Sequence, residues 1–272
     1  MAAPHACETC PVHTEMAQLG AAVGGFDHVV ALAGNPNTGK STLFNQLTGL
    51  RQHTGNWPGK TVTRAEGGFQ FSGRRYKLVD LPGTYSLLSA SDDEEVARNF
   101  LLFGRPDCTV VVVDASALER NLYLVLQVLE ITDRVVVAVN LIDEAKRRGI
   151  EVDTRSLSRD LGVPAVPIVA RTGDNVMALL QDVANVCSGE TVTSPLRSKG
   201  TAEFERAVSK LVPLIEAAAP GVPNARWIAI RLLDGDASVE EALTTGRLAQ
   251  LVARQQAPDA RFSKKIALQG AQ

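Results

Sequence analysis

The sequence predicts an α/β fold, in which a doubly wound domain with a mostly parallel sheet and one antiparallel hairpin precedes a small all-helical domain. Short, continuous apolar runs alternate with stretches of helical periodicity, which is typical of strands buried on both faces of a parallel sheet. Two further strand-like segments, residues 67–71 and 76–80, flank a turn at Ser72-Gly73, as in a hairpin. After about residue 190 the strand-like runs stop and helical periodicity alone remains.

Composition excludes several classes of protein. The 272 residues suffice for one large domain, or for one domain and a small partner, and 45% apolar with 21% charged residues is ordinary for a soluble globular chain. A net charge of -2 argues against nucleic acid as the main partner. No run reaches the roughly 18 apolar residues that cross a bilayer, and the N-terminus lacks a secretory pattern. Four scattered cysteines do not form a disulfide framework, so we expect a reducing cytoplasm.

The predicted elements follow one another from residue 29 onward. Strands are predicted at residues 29–33, 67–71, 76–80, 108–114, 135–140 and 165–169. Helices are predicted at residues 42–47, 93–102, 118–130 and 174–187, and in the C-terminal part at 201–219, 226–233 and 238–255. We therefore divide the chain into an N-terminal extension (1–26), the α/β domain (27–189) and the helical domain (190–272).

The first strand and helix are joined by Gly34-Asn35-Pro36-Asn37-Thr38-Gly39-Lys40-Ser41, which matches the phosphate-binding pattern G-x-x-x-x-G-K-[ST]. Backbone N–H groups at the start of a helix attract phosphate, and Gly39 lets the backbone come close to it. Lys40 is expected to reach the β- and γ-phosphates, and the Ser41 hydroxyl to hold Mg²⁺. A chance match in an ordinary loop would not explain the flanking strand and helix.

A second motif, Asp80-Leu81-Pro82-Gly83, ends a predicted strand at the sheet edge where ligands bind in open α/β folds. Asp80 can hold Mg²⁺ through water, and the Gly83 N–H can meet the γ-phosphate. Hydrolysis would then release the following loop, so residues 83–92 are predicted to switch with nucleotide state. A Pro-Gly turn after a strand is common alone, but not at this distance from a phosphate loop.

A third motif, Asn140-Leu141-Ile142-Asp143, follows the next buried strand and indicates the base. A carboxylate at Asp143 can accept hydrogen bonds from guanine N1–H and N2–H₂, a donor pair that adenine lacks. Ala170 and Arg171, after the last strand, would offer backbone N–H groups to guanine O6. Leu141 stands where lysine is usual, so we expect weaker packing on the base and easier exchange. The motifs together predict a P-loop GTPase domain that binds GTP and GDP.

The loop of residues 50–62 is predicted to be the second switch. It contains Thr54-Gly55-Asn56-Trp57-Pro58-Gly59-Lys60-Thr61, and the Thr61 hydroxyl and carbonyl would engage Mg²⁺ and the γ-phosphate. The alternative is that Trp57 merely fills part of the core.

These residues resemble one family, the cytoplasmic N-terminal G domain of the ferrous iron transport protein B (FeoB) family. The resemblance rests on the phosphate loop, on Gly55-Asn56-Trp57-Pro58-Gly59-Lys60-Thr61, on Asp80-Leu81-Pro82-Gly83-Thr84-Tyr85-Ser86-Leu87 and on Asn140-Leu141-Ile142-Asp143, with the Asn-Trp-Pro-Gly stretch the most distinctive. It covers roughly residues 28 to 262, including the helical part. Lys60 departs from the family, which often has an apolar residue there, and Val169 replaces a frequent serine.

The resemblance implies slow GTP hydrolysis that regulates a ferrous-iron channel, with the helical module relaying the switch movement. It also implies that Asn37 is a ligand for an activating K⁺. Since Thr84 follows Gly83, the water-orienting glutamine of Ras-type enzymes is absent, and a cation beside the β/γ bridge could supply some of the missing charge stabilisation. The predicted partner is the membrane-embedded channel domain of the same full-length protein, on the cytoplasmic side of the bacterial inner membrane. A homo-oligomer is possible, and we expect this chain to be the soluble part.

The complete set of predicted nucleotide-site residues has two overlapping groups. The catalytic group is Lys40, Thr61, Gly83 and Asn37. The nucleotide-binding group is Gly34, Asn35, Asn37, Thr38, Gly39, Lys40, Ser41, Thr42, Gly59, Thr61, Asp80, Gly83, Asn140, Asp143, Ala170 and Arg171. Mg²⁺ is assigned to Ser41, Thr61 and Asp80, and K⁺ to Asn37.

Two alternatives stay open at this point. One is a stand-alone, cation-activated G protein of ribosome or RNA maturation, which would call for a strong basic appendage. The other is a metal sensor built on His5, Cys7, Cys10 and His13, whose soft and borderline ligands could close around zinc or iron. Their spacing is tighter than in common zinc fingers, and they could equally be incidental residues of a mobile tail.

Overall fold

The computed structural model describes residues 25–50, 52–58, 60–88, 91–197 and 199–256. Its strands are β1 His28–Gly34, β2 Gln52–Asn56, β3 Thr63–Phe71, β4 Arg74–Asp80, β5 Cys108–Asp114, β6 Val135–Asn140 and β7 Ala165–Pro167. They form one seven-stranded sheet in the order β2-β3-β4-β1-β5-β6-β7. β1 pairs in parallel with β4 and β5, and the series continues in parallel through β6 to β7.

The predicted hairpin is β3–β4, and its turn residues Ser72 and Gly73 both have positive φ, 47° and 76°. Paired positive φ values suit the right-handed twist of adjacent strands in a two-residue hairpin. β2 adds a second antiparallel pairing at the sheet edge. The mostly parallel, doubly wound sheet with its hairpin is therefore confirmed.

Helices cover both faces of the sheet and make up the C-terminal part. Around the sheet lie α1 Lys40–Thr48, α2 Asp92–Asn99, α3 Leu118–Ile131, α4 Ile142–Arg147, α5 Thr154–Leu161 and α6 Val176–Ser188. The C-terminal helices are α7 Ala202–Ala218, α8 Ala225–Leu233, α9 Ala237–Thr244 and α10 Arg247–Gln256. Within the described ranges, none of the helices has both the length and the apolar character that a bilayer crossing demands.

The core has two layers, one on each face of the sheet, because alternate side chains of a strand point to opposite faces. Along β1, Val29 and Ala31 pack on the face covered by α2 and α3, whereas Val30 and Leu32 pack on the face covered by α1 and α6. This alternation fixes the strand register. Because β1 runs parallel to β4 and β5, the loop after Gly34 emerges at the carboxyl edge of the sheet.

Several boundaries differ from the sequence prediction. The predicted helix 238–255 is two helices, since Gly246 (φ 69°) breaks it between α9 and α10. The predicted helix 93–102 ends at Asn99 and continues as a π-helical segment, Phe100–Gly104. The last strand stops at Pro167, and the short helices α4 and α5 were not predicted.

The prediction of a loop over residues 50–62 is partly wrong, because Gln52–Asn56 forms the edge strand β2. Trp57, just beyond it, is 4% exposed, and its ring meets Phe100 edge-on at 5.4 Å between centroids. Trp57 therefore does fill part of the core, as the alternative interpretation held, and among the described residues that follow β2, Trp57, Pro58 and residues 60–62 lie outside the strands.

The helical part packs on the face of the sheet that carries α2 and α3. The Asn224 side chain donates to the carbonyls of Glu130 and Ile131 at 2.9 and 3.1 Å and so covers the C-terminus of α3. Arg98 of α2 is 7% exposed and donates to the Ser238 hydroxyl of α9 at 3.2 Å. Its guanidinium also lies 6.0 Å from the centroid of the Trp227 ring in α8. The end of α2 is thus anchored in the helical part.

Candidate functional site

The phosphate-loop sequence connects β1 to α1 at the carboxyl edge of the sheet, with two glycines in places that exclude a side chain. A Cβ on Gly34 would lie 2.6 Å from the Val112 carbonyl oxygen of β5. Gly39 has φ 82°, and a Cβ there would lie 2.3 Å from Asn140 Nδ2. Close backbone approach therefore requires glycine at both positions. Within the loop, the Thr38 hydroxyl donates to the Asn35 carbonyl at 2.9 Å.

Lys40 is held at the mouth of this loop by the second motif. Its ammonium contacts the Asp80 carboxylate and donates to the Leu81 carbonyl at 2.7 Å. Burial raises the pKa of Asp80 above its ordinary value, and the charge and hydrogen bond of Lys40 oppose that rise. Since the Lys40 side chain is 10% and the Asp80 side chain 17% exposed, this ion pair is largely desolvated.

The Asp80–Gly83 motif lies directly against the phosphate loop. A Cβ on Gly83 would lie 3.6 Å from Pro36 N and 3.7 Å from the Gly34 carbonyl oxygen. The Leu81 N–H donates to the Leu32 carbonyl at 2.9 Å, which continues the pairing along β1 beyond the end of β4. The structure therefore brings Gly83 beside the phosphate loop.

Asn140 joins the phosphate loop to the loop after β7. Its Nδ2 donates to the Thr38 carbonyl at 2.9 Å, and its Oδ1 accepts from the Ala170 N–H at 2.9 Å. Asn140 is 1% exposed, so both bonds are shielded from water. The sequence placed Asn140 in the site but gave no sign of this bridge, because its partners are 102 and 30 residues away.

Asp143 lies in the first turn of α4 at the same edge. Leu141 precedes that helix with φ 61°, a left-handed conformation that is uncommon outside glycine and asparagine. Asp143 is half-buried, and its carboxylate lies 3.4 Å from the Arg171 guanidinium and 3.6 Å from that of Arg147. The structure thus brings Asp143, Ala170 and Arg171, three residues of the predicted guanine site, to the same edge of the sheet. Both arginines are well exposed, so these pairs are weak.

The turn of residues 57–62 is tied to α2 rather than left open. The Trp57 N–H donates to the Val62 carbonyl at 2.9 Å and closes the turn. Lys60 donates to Asp92 at 2.6 Å and to Glu95 at 2.9 Å, and these hydrogen bonds raise its pKa. Thr61, the residue after Lys60, is exposed. The sequence analysis noted Lys60 only as a departure from the family, since acidic partners 32 and 35 residues away leave no local pattern.

The remaining predicted residues divide into exposed positions and positions that the structure does not describe. Asn37, at φ 65°, and Ser41 and Thr42, at the start of α1, are exposed. Gly59 lies outside the described residues, as do the candidate metal ligands His5, Cys7, Cys10 and His13. Across the described ranges, no group of three or more histidine, cysteine or acidic side chains is arranged to hold a metal ion.

Three features define a P-loop domain of the G-domain class. They are a phosphate loop after the central strand, the Asp80–Gly83 motif beside it, and the Asp143 carboxylate at the same edge of the sheet. Residues 28–183 match the family model described as "Ferrous iron transport protein B", and residues 201–266 match that of the "FeoB cytosolic helical domain". The chain belongs to the FeoB family.

Relatives and solved structures agree with this assignment. The chain is 41% identical over 213 residues to the Fe(2+) transporter FeoB of Escherichia coli K12, covering 76% of this chain but 27% of that protein. It therefore spans about a quarter of such relatives. The cytosolic domain of L. pneumophila FeoB is similar at 35% identity and a TM-score of 0.73, covering 85% of this chain and 90% of that one. A mutant of S. thermophilus NFeoB bound to GDP is similar at 33% identity and a TM-score of 0.72, covering 89% and 91%.

Proposed function

We propose that the chain is a GTP-binding and slowly hydrolysing regulatory domain of a bacterial ferrous iron transporter. The observation that carries this proposal is the Asn140 bridge, which ties the phosphate loop to the loop at Ala170 through one side chain. The GDP-bound S. thermophilus relative supports it. Fluorescent mant-GDP should bind the 272-residue chain saturably, GTP should compete and ATP should not; equal competition by ATP would refute the guanine assignment.

Each residue has a proposed task in phosphate chemistry. Backbone N–H groups of residues 34–42 other than Pro36 bind the phosphates, and Lys40 moves from Asp80 and Leu81 to the β- and γ-phosphates. The Gly83 N–H and the Thr61 carbonyl contact the γ-phosphate, and Gly59 belongs to the proposed nucleotide-binding group. Asp143 accepts from guanine, while Ala170 and Arg171 donate backbone N–H groups to O6. Loops 50–62 and 83–92 then change with the state of the γ-phosphate.

The oxygen donors at the site suit Mg²⁺, which is bound in proteins through one or two side-chain oxygens, waters and substrate phosphates. Ser41 and Thr61 offer hydroxyls, and Asp80 offers a carboxylate whose present partner is Lys40. When bound, Mg²⁺ would neutralise charge that develops on the phosphates. The chain's own contribution is to release Asp80 from Lys40 as Lys40 turns to the phosphates.

Asn37 is proposed as the ligand of an activating K⁺, because its exposed side chain stands in a left-handed turn of the phosphate loop. We predict that GTP turnover is at least about tenfold faster in K⁺ than in Na⁺ at equal ionic strength, in keeping with electrostatic stabilisation of the transition state. Asn37→Ala should lose this difference and still bind mant-GDP. Equal wild-type rates in the two salts would remove K⁺ from the proposal.

The chain's place in the whole protein is proposed from the family. We propose that residues 27–189 form the G domain and residues 190–272 the helical module, which leads towards a membrane-embedded iron-channel domain of the full-length protein. The working location is then the cytoplasmic face of the bacterial inner membrane, with a homo-oligomer as a further possibility. The stand-alone G protein of ribosome or RNA maturation is not favoured by the family match.

The helical module is proposed to sense the switches through α2. Lys60 in the 57–62 turn holds Glu95, whose other oxygen lies 3.7 Å from Arg247 of α10, while Arg98 contacts Ser238 of α9. A displacement of the turn therefore acts directly on a helix that is anchored in the module.

We predict that Arg98→Met uncouples this relay. Nucleotide-dependent hydrogen exchange in residues 225–252 should disappear, while mant-GDP affinity changes less than about threefold, because Arg98 lies away from the phosphate loop. Arg231→Met is the matched control, since that largely buried arginine pairs with Asp234 and Asp236 within the module. Both variants should lose about 1–3 kcal/mol of stability, but only Arg98→Met should lose the exchange response; a response that survives in Arg98→Met would contradict the relay.

A further inference from the structure

The side chain of Asn35 is buried in the phosphate loop without a hydrogen-bond partner. It is 2% exposed, and among the described residues neither its Oδ1 nor its Nδ2 has a partner. Buried amides are almost always hydrogen-bonded, because an unpaired one has lost its water without compensation. The position therefore carries a cost in this conformation that an apolar residue would avoid.

The other buried asparagines of the described chain have partners at both ends of the amide. Asn121 accepts from the Asp114 N–H at 3.4 Å and donates to the Ala117 carbonyl at 2.8 Å. Asn140 accepts from Ala170 and donates to Thr38, both at 2.9 Å. Asn35 is thus the exception in this group, and it lies within the loop that meets the nucleotide.

The loop at Gly83 and Thr84 lies against the phosphate-loop backbone next to Asn35. Gly83 packs on the Asn35–Pro36 peptide, since its Cβ position would lie 3.6 Å from Pro36 N and 3.7 Å from the Gly34 carbonyl oxygen. Thr84, the next residue, is also buried, at 5% exposed. Pro36 has no N–H, so the peptide beneath Gly83 offers that loop no backbone donor. The Asn35 side-chain amide can supply a donor to that loop instead.

We infer that Asn35 is a positioning residue for GTP hydrolysis, whose amide hydrogen-bonds the backbone of Gly83 and Thr84 when Gly83 contacts the γ-phosphate. This inference rests on the proposed function and names a role for Asn35 distinct from phosphate binding. The side chain stays unpaired in the present conformation and gains its partners in the closed one, so it favours closure. Position 84 carries threonine and not the glutamine of Ras-type enzymes. Hydrogen bonds from the buried Asn35 amide would hold the closed loop in place without that glutamine.

The test compares Asn35→Ala with Asn121→Ala in the 272-residue chain. Asn35→Ala should lower kcat for GTP about tenfold, leave mant-GDP affinity within about twofold of wild type and leave the unfolding midpoint unchanged or higher. Asn121→Ala removes a fully paired buried amide, so it should lower the midpoint and leave kcat near the wild-type value. Hydrogen exchange supplies a readout independent of turnover: a non-hydrolysable GTP analogue should protect residues 81–88 in the wild type and less so in Asn35→Ala.

Two results would overturn the inference. One is an unchanged kcat with unchanged protection of residues 81–88 in Asn35→Ala. The other is a loss of kcat matched by an equal loss of mant-GDP affinity, which would show damage to the phosphate loop itself. If the alanine variant does not fold, Asn35→Ser is judged by the same criteria. Wild-type mant-GDP binding is measured alongside, so a failure of the proposed function is recognised separately.

Discussion

Lys40→Ala is expected to lower mant-GDP affinity roughly a hundredfold or more and to abolish measurable GTP turnover. The Lys40 ammonium lies beside the phosphate loop. Its loss should have a large effect, because charge-assisted hydrogen bonds to phosphate are among the strongest that a side chain makes. A hundredfold loss corresponds to about 2.7 kcal/mol, within the range of one or two such bonds. Fluorescence titration with mant-GDP and phosphate-release assays measure the two effects.

The control for this variant addresses the buried pair with Asp80. Removing Lys40 alone leaves a largely buried carboxylate without its counter-ion, so the pKa of Asp80 should rise further and the nucleotide-free protein should lose stability. Lys40→Ala combined with Asp80→Asn removes both charges and should regain stability without regaining nucleotide affinity. A double variant that binds mant-GDP as tightly as wild type would show that Lys40 does not meet the phosphates.

Asp143→Asn is expected to reverse base preference, with GDP bound about 100- to 1,000-fold more weakly and xanthosine diphosphate bound more tightly than by wild type. An asparagine cannot accept from both guanine N1–H and N2–H₂, and each hydrogen bond to a charged group contributes about 1.5–3 kcal/mol. A site built on paired polar groups also rejects the ligand that leaves one of them unpaired. Competition titrations with guanosine, xanthosine and adenosine diphosphates measure the preference.

Arg171→Ala is the matched control for the base edge. Arg171 lies 3.4 Å from the Asp143 carboxylate but is 74% exposed, so its pair with Asp143 is screened by water. Base preference should therefore remain guanine in this variant, and GDP affinity should change only a few-fold. If the Asp143→Asn variant still discriminates against xanthosine diphosphate, the role assigned to Asp143 is contradicted.

Local patterns in the sequence were sufficient for most of the sheet and for the order of motifs along its edge. The phosphate loop, Asp80 and Asn140 each end or follow a buried apolar run, and parallel strands bring such ends to one edge. The same patterns failed where secondary structure depends on distant contacts. β2 is a polar edge strand held by β3, and α4 starts from a left-handed Leu141, neither of which has a periodic apolar signal.

Side-chain pairing within the site could not be predicted for the same reason. The partners of Lys40 are 40 and 41 residues away, and Lys60 is held by Asp92 and Glu95 on another element. The unpaired amide of Asn35 is a property of packing around it, which no run of residues in the chain encodes. The sequence predicted which residues are at the site but not which of them hold one another.

The double hydrogen bond of Asn140 has a consequence for the order in which a nucleotide leaves. One amide binds both the Thr38 carbonyl and the Ala170 N–H, so a single side chain holds the phosphate loop and the loop after β7 together. If these two loops hold the phosphates and the base, as proposed above, loosening either loop disturbs the other, and we expect the two ends of the nucleotide to be released together rather than in independent steps. We therefore expect the affinity for the base and the affinity for the phosphates to be thermodynamically linked through one buried side chain.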